Sequence, residues 1–327
     1  MYLLNTNRVK ILELLYDNKK KYISGEKISK TLDISRTAVW KYIKNLREKG
    51  YIIKSTHGKG YKLIKNPEDL FIAEELVRKI NTHNIVSNIY IFDNLDSTNN
   101  RAKKMAENGE RHGSVIIAEE QINGKGRLGR SWYSPPGEGL WFSIILRPDF
   151  LPIKAPLITI ISSLAIWNVL NKYEYNPLIK WPNDILINGK KIAGILSELN
   201  GEMGKINYII VGMGINCNQK IFPDYLSNKA TSLFIERGGK INRINLIRDI
   251  LFYFDKYYLI LENDNIHDII NEWKSHLNII NKRVELKSNN KIYRGMAVNV
   301  SDYGALILKD DKGKLHNFWA GDTTFEL

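Results

Sequence analysis

Residues 121–132 read QINGKGRLGRSW, and what this stretch can hold decides how the rest of the chain is organised. Glycines at 124, 126 and 129 satisfy the G-x-G-x-x-G spacing of dinucleotide-binding folds, with Lys125, Arg127 and Arg130 set among them. That fingerprint works only when a helix begins inside it, so that the helix N-terminus receives the pyrophosphate. Here the third glycine leads into RSWYSPPGEG, whose paired prolines and two further glycines forbid a helix. No acidic residue ends a second strand at the ribose-binding distance, and the loop carries no G-K-[ST]. A doubly wound dinucleotide fold is therefore excluded. What remains is a flexible loop whose amides and crowded cations close over an anion. Like charges this near repel unless a multivalent anion compensates them, and nucleotide phosphates fit best.

Outward from the loop the chain mixes strands and helices. SVIIAEE feeds the loop as a buried strand and GLWFSIILRP follows it as another. STNNRAKKMAEN upstream reads as a helix that Ser97 can cap, and FIAEELVRKI before it also looks helical. APLITIISSLAIWNVLNKY has helical length and period. NPLIKWPNDILINGKKIAGILSEL contains two strands joined by Asn188-Gly189, a strong short hairpin signal. INYIIVGMGINCN is a further strand, interrupted by Gly212 and Gly214.

The 327 residues, 43% hydrophobic and 25% charged, suit two or three globular domains. No apolar run approaches the roughly 18–20 residues of a membrane span, and no signal peptide opens the chain. Cys217 is the single cysteine, which excludes an internal disulfide and a Cys-rich zinc site, so a cytoplasmic location is expected. The net charge of +13 is concentrated. Residues 1–65 carry 16 Lys+Arg against 5 Asp+Glu, whereas the rest is nearly balanced. That is the electrostatic footprint of a nucleic-acid module on a neutral body, although a merely solvated basic face would look the same.

The basic head separates these readings. Ser24 can cap a short helix over GEKISKTL, DIS turns the chain, and Ser35 can cap a longer helix ending before Gly50. Val39, Tyr42, Ile43 and Leu46 share one face of that helix. Ser35, Arg36, Thr37, Trp40, Lys41 and Lys44 are left for phosphates and base edges. YIIKS and YKLI then flank THGKG, a basic wing with Lys59 at its tip. Helix, turn, recognition helix and wing together favour DNA binding over a winged helix used for protein contacts, and such modules bind palindromic operators as dimers.

GKGRLGRSW, KWPNDI and KKIAGILSE, in this order, with DSTNN upstream and GMGINCN downstream, closely resemble the biotin–protein ligases. The head resembles the operator-binding domain of the bifunctional members, which also repress biotin biosynthesis. The resemblance covers almost the whole chain. It implies an α+β multidomain protein: a winged helix-turn-helix over 1–65, a mixed α/β ligase domain of class II synthetase type over 66–276, and an SH3-like β-barrel over 277–327. The short alternating strands of the tail fit that last expectation. The implied activity is formation of biotinyl-5′-AMP from biotin and ATP with Mg2+, then transfer of the biotinyl group to a lysine of an apo carrier protein. The implied partners are operator DNA and, once adenylate is bound, a second copy of the chain.

Residue by residue, the resemblance gives catalysis to Arg127 and Lys191, whose cations meet the biotin carboxylate and the α-phosphate; Lys190 beside it is the solvated lysine. Biotin contacts fall on Ser97, Thr98, Asn99, Gln121, Gly124, Lys125 and Gly194. The ATP and adenylate side takes Arg130, Trp132, Lys180, Asn183, Asp184 and Asn216. Asp184 serves magnesium indirectly or orients the acceptor lysine, and the tail, besides a structural role, helps with ATP and carrier-protein contacts through Arg294. Structural accounts stay open: Ser97 as a helix cap, Trp132 in the core, and KWPND as a strand entry with Trp181 buried. Leu128 stands where many relatives carry another basic residue, and 219–240 matches too poorly to assign. Two other functions remain open, a biotin-sensing transcription factor without ligase activity and a lipoate–protein ligase.

Overall fold

Ser24 and Ser35 start the helices they are expected to start. The Lys27 amide donates to Ser24 Oγ and the Ala38 amide to Ser35 Oγ, both at 3.1 Å. They open α2 (Gly25–Leu32) and α3 (Arg36–Glu48), which pack with α1 (Thr6–Asp17) and the hairpin of β1 (Ile52–Thr56) and β2 (Gly60–Lys65). The structure, a computed structural model, describes residues 6–19, 21–65, 75–76, 80, 82–288 and 291–325. Most of the expected FIAEELVRKI helix and the 66–70 junction lie outside the described residues. The head has its own core, in which Val39, Ile43 and Leu46 of α3 meet Ile11, Leu12 and Leu15 of α1. Ile23 and Tyr61 exchange backbone hydrogen bonds of 2.9 and 2.8 Å, fastening the wing to the start of α2. A link to the body runs through Glu75, whose carboxylate accepts the Tyr16 and Tyr51 hydroxyls, while Arg248 donates to its carbonyl.

The body is a seven-stranded sheet in the order β3-β4-β5-β9-β8-β7-β6. Its strands are β3 (Ile89–Leu95), β4 (Ser114–Gln121), β5 (Gly139–Leu146), β6 (Leu178–Lys180), β7 (Asp184–Ile187), β8 (Lys190–Glu202) and β9 (Lys205–Asn216). Only β3 and β4 pair in parallel; every other neighbour is antiparallel. Both faces are covered, which explains why β4 and β5 read as continuous apolar runs rather than alternating ones. Ile116, Ile145 and Ile210 pack under α4 (Thr98–Glu107) on one face. Val115, Ile144 and Val211 meet α5 (Pro156–Lys172) and α8 (Arg243–Glu262) on the other. With the turn before it, α5 is long and apolar enough to cross a membrane by length and composition. Leu157, Ile161, Leu164 and Ile166 are fully buried along it, and it is the central core helix.

The expected interruption of the strand at Gly212 and Gly214 does not occur. β9 runs unbroken from Lys205 to Asn216. The glycines are there because of what lies over the strand. A Cβ on Gly212 would sit 2.0 Å from Asn99 Oδ1, and one on Gly214 would sit 2.6 Å from Trp132 Nε1. Gly214→Ala is therefore expected to displace the Trp132 indole and to destabilise the fold by about 1–3 kcal/mol. Urea unfolding followed by tryptophan emission reads both effects, and an unchanged midpoint with unchanged emission would contradict this packing.

Between the sheet's last strands and the tail lie α6 (Asp224–Ser227), α7 (Leu233–Arg237) and α9 (Ile266–Ser275). The tail forms an antiparallel sheet in the order β13-β12-β11-β10-β14. Its strands are β10 (Lys282–Ser288), β11 (Lys291–Val300), β12 (Leu306–Lys309), β13 (Leu315–Phe318) and β14 (Asp322–Phe325). Unlike the head, it shares the body's core, to which Val284, Leu286, Leu306 and Leu308 belong. Residues 276–278 are stitched to edge strand β6, since Ile179 N donates to His276 O and Asn278 N to Ile179 O, both at 3.0 Å.

Candidate active site

The glycine stretch folds back on itself. Gly126 N donates to Arg130 O at 2.7 Å and Trp132 N to Gly124 O at 2.8 Å, so Lys125 and Ser131 face each other across a short ladder. A single 3-10 turn at Arg127–Gly129 forms its tip, with Leu128 in the left-handed region (φ 56°). No α-helix starts there, which agrees with the exclusion of a dinucleotide fold. The loop covers a cavity of about 300 Å3 over the centre of the sheet.

The cations of the loop are expected to need an external anion, but each already has a partner. Lys125 Nζ donates to Asn100 Oδ1 at 2.7 Å, and Arg127 Nη1 to Asn183 Oδ1 at 2.8 Å. Arg130 pairs with Asp322, which β14 of the tail brings to the cavity. Part of the compensating charge is thus internal. Arg130 is pushed up from its ordinary pKa by this hydrogen bond and charge. Arg127 is pushed down, because burial outweighs the help of Asp322 and Asp184. Both stay protonated, and the consequence is electrostatic: Arg127 is a poorly hydrated cation, which strengthens its attraction for an anion entering the cavity.

The opposite wall comes from the β7–β8 hairpin. Asn188 (φ 49°) and Gly189 (φ 77°) form the two-residue turn with both central φ values positive, as Asn-Gly demands. The strand pairing also carries a register shift between Ile185 and Leu186, and such bulges re-aim side chains. Lys191 reaches into the cavity, with Nζ 2.7 Å from Asp184 Oδ1 and 5.0 Å from the centre of the Trp132 ring. Lys190 lies outside the lining and donates to Ser227 O at 3.3 Å.

Beneath lies a polar network. Thr98 N and Oγ1 donate to Gln121 Oε1 at 2.8 and 3.1 Å, and Gln121 Nε2 donates to Ser134 Oγ at 2.9 Å. Ser143 Oγ lies 2.8 Å from Thr98 Oγ1 and 2.7 Å from Asn99 Oδ1, while Asn99 Nδ2 donates to Glu198 at 2.7 Å. Gln121, rather than Ser97, therefore binds the first amide of α4. Ser97 occupies the cap position without a capping bond, and its buried side chain lines the cavity. The Trp132 indole N–H is buried against Gly214 with no hydrogen-bond partner among the described residues, while the ring lines the cavity. Trp132 thus walls the cavity, whereas Trp181 is a core residue that donates to Gly304 O at 3.1 Å. Asn183, its near neighbour, also donates to Ile195 O at 2.7 Å, which fixes the acceptor it offers Arg127.

Thus Ser97, Thr98, Asn99, Gln121, Lys125, Arg127, Arg130, Trp132, Asn183, Asp184, Lys191, Gly194 and Asn216 line one cavity. Two expected residues do not. Gly124 is packed behind the loop, where a Cβ would meet Trp132 O at 2.5 Å, so it serves the loop's closure. Lys180 is on edge strand β6, one strand farther out than Asp184 of β7. Arg294 is also elsewhere, paired with Glu285 at 2.8 Å. Sequence reasoning missed Phe222, Leu226, Lys229 and Ala230 of the unassigned 219–240 segment, along with Tyr133, Met213 and Asp322. The segment is tied down by Lys191 N donating to Lys229 O at 2.9 Å and Thr231 N to Lys191 O at 3.0 Å. Asn216 Nδ2 adds a bond to Thr231 O at 3.0 Å. Cys217 beside it is buried, with Sγ donating to Ile215 O at 3.5 Å.

In the head, Ser35, Arg36, Thr37, Trp40, Lys41, Lys44 and Lys59 are all exposed. A groove of about 880 Å3 runs between the start of α3 and the wing.

Residues 91–216 match the Biotin/lipoate A/B protein ligase family, 7–62 match an HTH domain, and 279–323 match the Biotin protein ligase C terminal domain. The chain is 38% identical over 313 residues to the Bifunctional ligase/repressor BirA of Bacillus subtilis, covering 94% of this chain and 96% of that one. It is 30% identical over 309 residues to the protein of that name from Escherichia coli, covering 94% of each. Among solved structures, the biotin protein ligase from Aquifex aeolicus in complex with biotin and ATP superposes with a TM-score of 0.64 at 25% identity. That match covers 73% of this chain and 99% of the other. The chain belongs to the family of bifunctional biotin–protein ligases and repressors.

Proposed function

We propose that this chain joins biotin to ATP as biotinyl-5′-AMP, transfers the biotinyl group to one lysine of a biotin carboxyl carrier protein, and represses biotin-biosynthesis genes with the adenylate as corepressor. One observation carries the enzymatic half: a single cavity gathers the glycine-loop cations, Lys191 and the Asn183-Asp184 pair over a polar floor. In the first step a biotin carboxylate oxygen attacks the α-phosphorus of ATP and pyrophosphate leaves. In the second the acceptor lysine's amine attacks the biotinyl carbonyl carbon and AMP leaves. Neither step needs an enzyme nucleophile. Two anions must be brought together while charge grows on the phosphoryl oxygens, which is work for fixed cations and amides.

In this reading Arg127 spans the carboxylate and the phosphate with its forked donors, and Lys191 meets the same charge from the opposite wall. Lys125 and Arg130 guard the entrance, and the Arg130–Asp322 pair opens when phosphates enter. Ser97, Thr98 and Gln121 face the ureido ring and Asn99 sets their floor, since a buried urea needs polar partners. Gly194 leaves room beside Lys191, and Trp132 offers its ring to the adenylate. Asn216 holds the 219–240 segment against Lys191. Lys180 and Asn183 act on the triphosphate side, Lys180 at the rim. Magnesium bound with ATP would neutralise phosphate charge. Asp184, paired with Lys191, would serve that ion only indirectly or would orient the acceptor lysine.

The head, which we place at 1–65, binds operator DNA as one half of an adenylate-dependent dimer. The ligase unit spans 66–276 and the tail 277–327, and the protein works in the cytoplasm. Mass spectrometry of an apo carrier protein incubated with enzyme, ATP and biotin tests the reading. Biotinylation of one lysine supports it, whereas no transfer, or transfer of lipoate in preference to biotin, overturns it. Deleting residues 1–65 is expected to leave ligation largely intact and to abolish operator binding, read by gel shift. Retained operator binding would contradict the assignment of the head.

A further inference from the structure

Trp40 is the side chain of α3 that phosphate binding does not account for. It is 52% exposed, while Tyr42, Tyr51 and Tyr61 pack in or against the head's core. Arg36 lies one turn before it and Lys44 one turn after, with Lys44 Nζ 5.8 Å from the ring centre. With Arg36 and Thr37 it lines one side of the groove whose other side is the wing at Ser55, Thr56 and His57. On that face the flanking cations are left for phosphates and the indole for base edges.

Indole has one N–H donor and no acceptor, and most of its surface is apolar. Opposite the major-groove edges of guanine, cytosine and adenine, an apolar surface displaces water from polar atoms without replacing their hydrogen bonds. Thymine alone presents an apolar feature there, its C5 methyl. Resting on the DNA-binding reading of the head, we propose that Trp40, set between Arg36 and Lys44 on the groove face of α3, is a specificity-determining residue that reads thymine through its methyl group. The contact makes the protein prefer thymine at one position of each half-site.

The full chain, with biotin and ATP present, is used to select binding sites from random duplexes. Each thymine of the selected site is then replaced in turn by deoxyuridine, which removes only the methyl, and Kd is measured at fixed salt. For the wild type, one thymine per half-site is expected to cost about fourfold per methyl lost. Trp40→Ala is expected to erase that penalty while leaving the salt dependence unchanged, because indole neutralises no phosphate. Trp40→Phe, which keeps an apolar ring, is expected to retain part of it. Circular dichroism and the thermal midpoint check that both variants fold. Indifference of the wild type to every deoxyuridine, or a penalty that persists undiminished in Trp40→Ala, overturns the proposal. Failure to enrich any duplex overturns the DNA-binding reading itself, and the thymine contact falls with it.

Discussion

Lys191→Ala is expected to slow formation of biotinyl-5′-AMP by about 10²-fold or more. The ammonium stands 2.7 Å from Asp184 and against the Trp132 ring, on the wall facing Arg127. Removing it takes away the cation that meets the growing charge on the α-phosphate. It also leaves the Asp184 carboxylate uncompensated in the cavity, which repels the incoming triphosphate. The two consequences separate kinetically: lost transition-state contact lowers kcat, and exposed Asp184 raises KM for ATP. Lys191→Arg restores the charge with a different shape and is expected to recover binding more than rate. Single-turnover measurement of pyrophosphate release checks this, and a rate within about threefold of wild type would remove Lys191 from the mechanism.

The second large effect belongs to Arg127. Arg127→Gly is expected to shorten retention of the adenylate by about 10–100-fold, the range for losing a charge-assisted, partly desolvated hydrogen-bond pair. Its bond to Asn183 joins the loop tip to the start of β7, so the substitution also unfastens the lid. Free biotinyl-5′-AMP then leaks into solution and reacts with exposed lysines on unrelated proteins. Release of labelled adenylate from the complex gives the rate directly, and an unchanged residence time would contradict the role.

How far these roles could be read before the fold was known differs along the chain. The head was legible because its signals are local: serine caps, a helical stripe and a basic hairpin all act within a few residues. At Lys191 only the Asn-Gly turn was legible in the residues themselves; its place in the cavity rested on the family resemblance, because the register shift between Ile185 and Leu186 bears on which of Lys190 and Lys191 faces inward. Gly212 and Gly214 were visible but misread, because a glycine in a strand looks like a break unless the overlying Asn99 and Trp132 are known. Asp322 and the Phe222–Ala230 wall left no sign, since their meaning arises from long-range packing. Gln121 shows the same limit. It was expected among ligand contacts, yet its carbonyl is engaged by Thr98 at the start of α4, so it acts on the cavity floor partly by holding Thr98 in place.

Biotin-dependent exchange of labelled pyrophosphate into ATP tests most directly whether this cavity unites a carboxylate with an α-phosphate. Exchange is expected only when biotin is present, and it should be reduced about 10²-fold in Lys191→Ala. Exchange that proceeds without biotin, or at equal rate in the variant, would contradict the account.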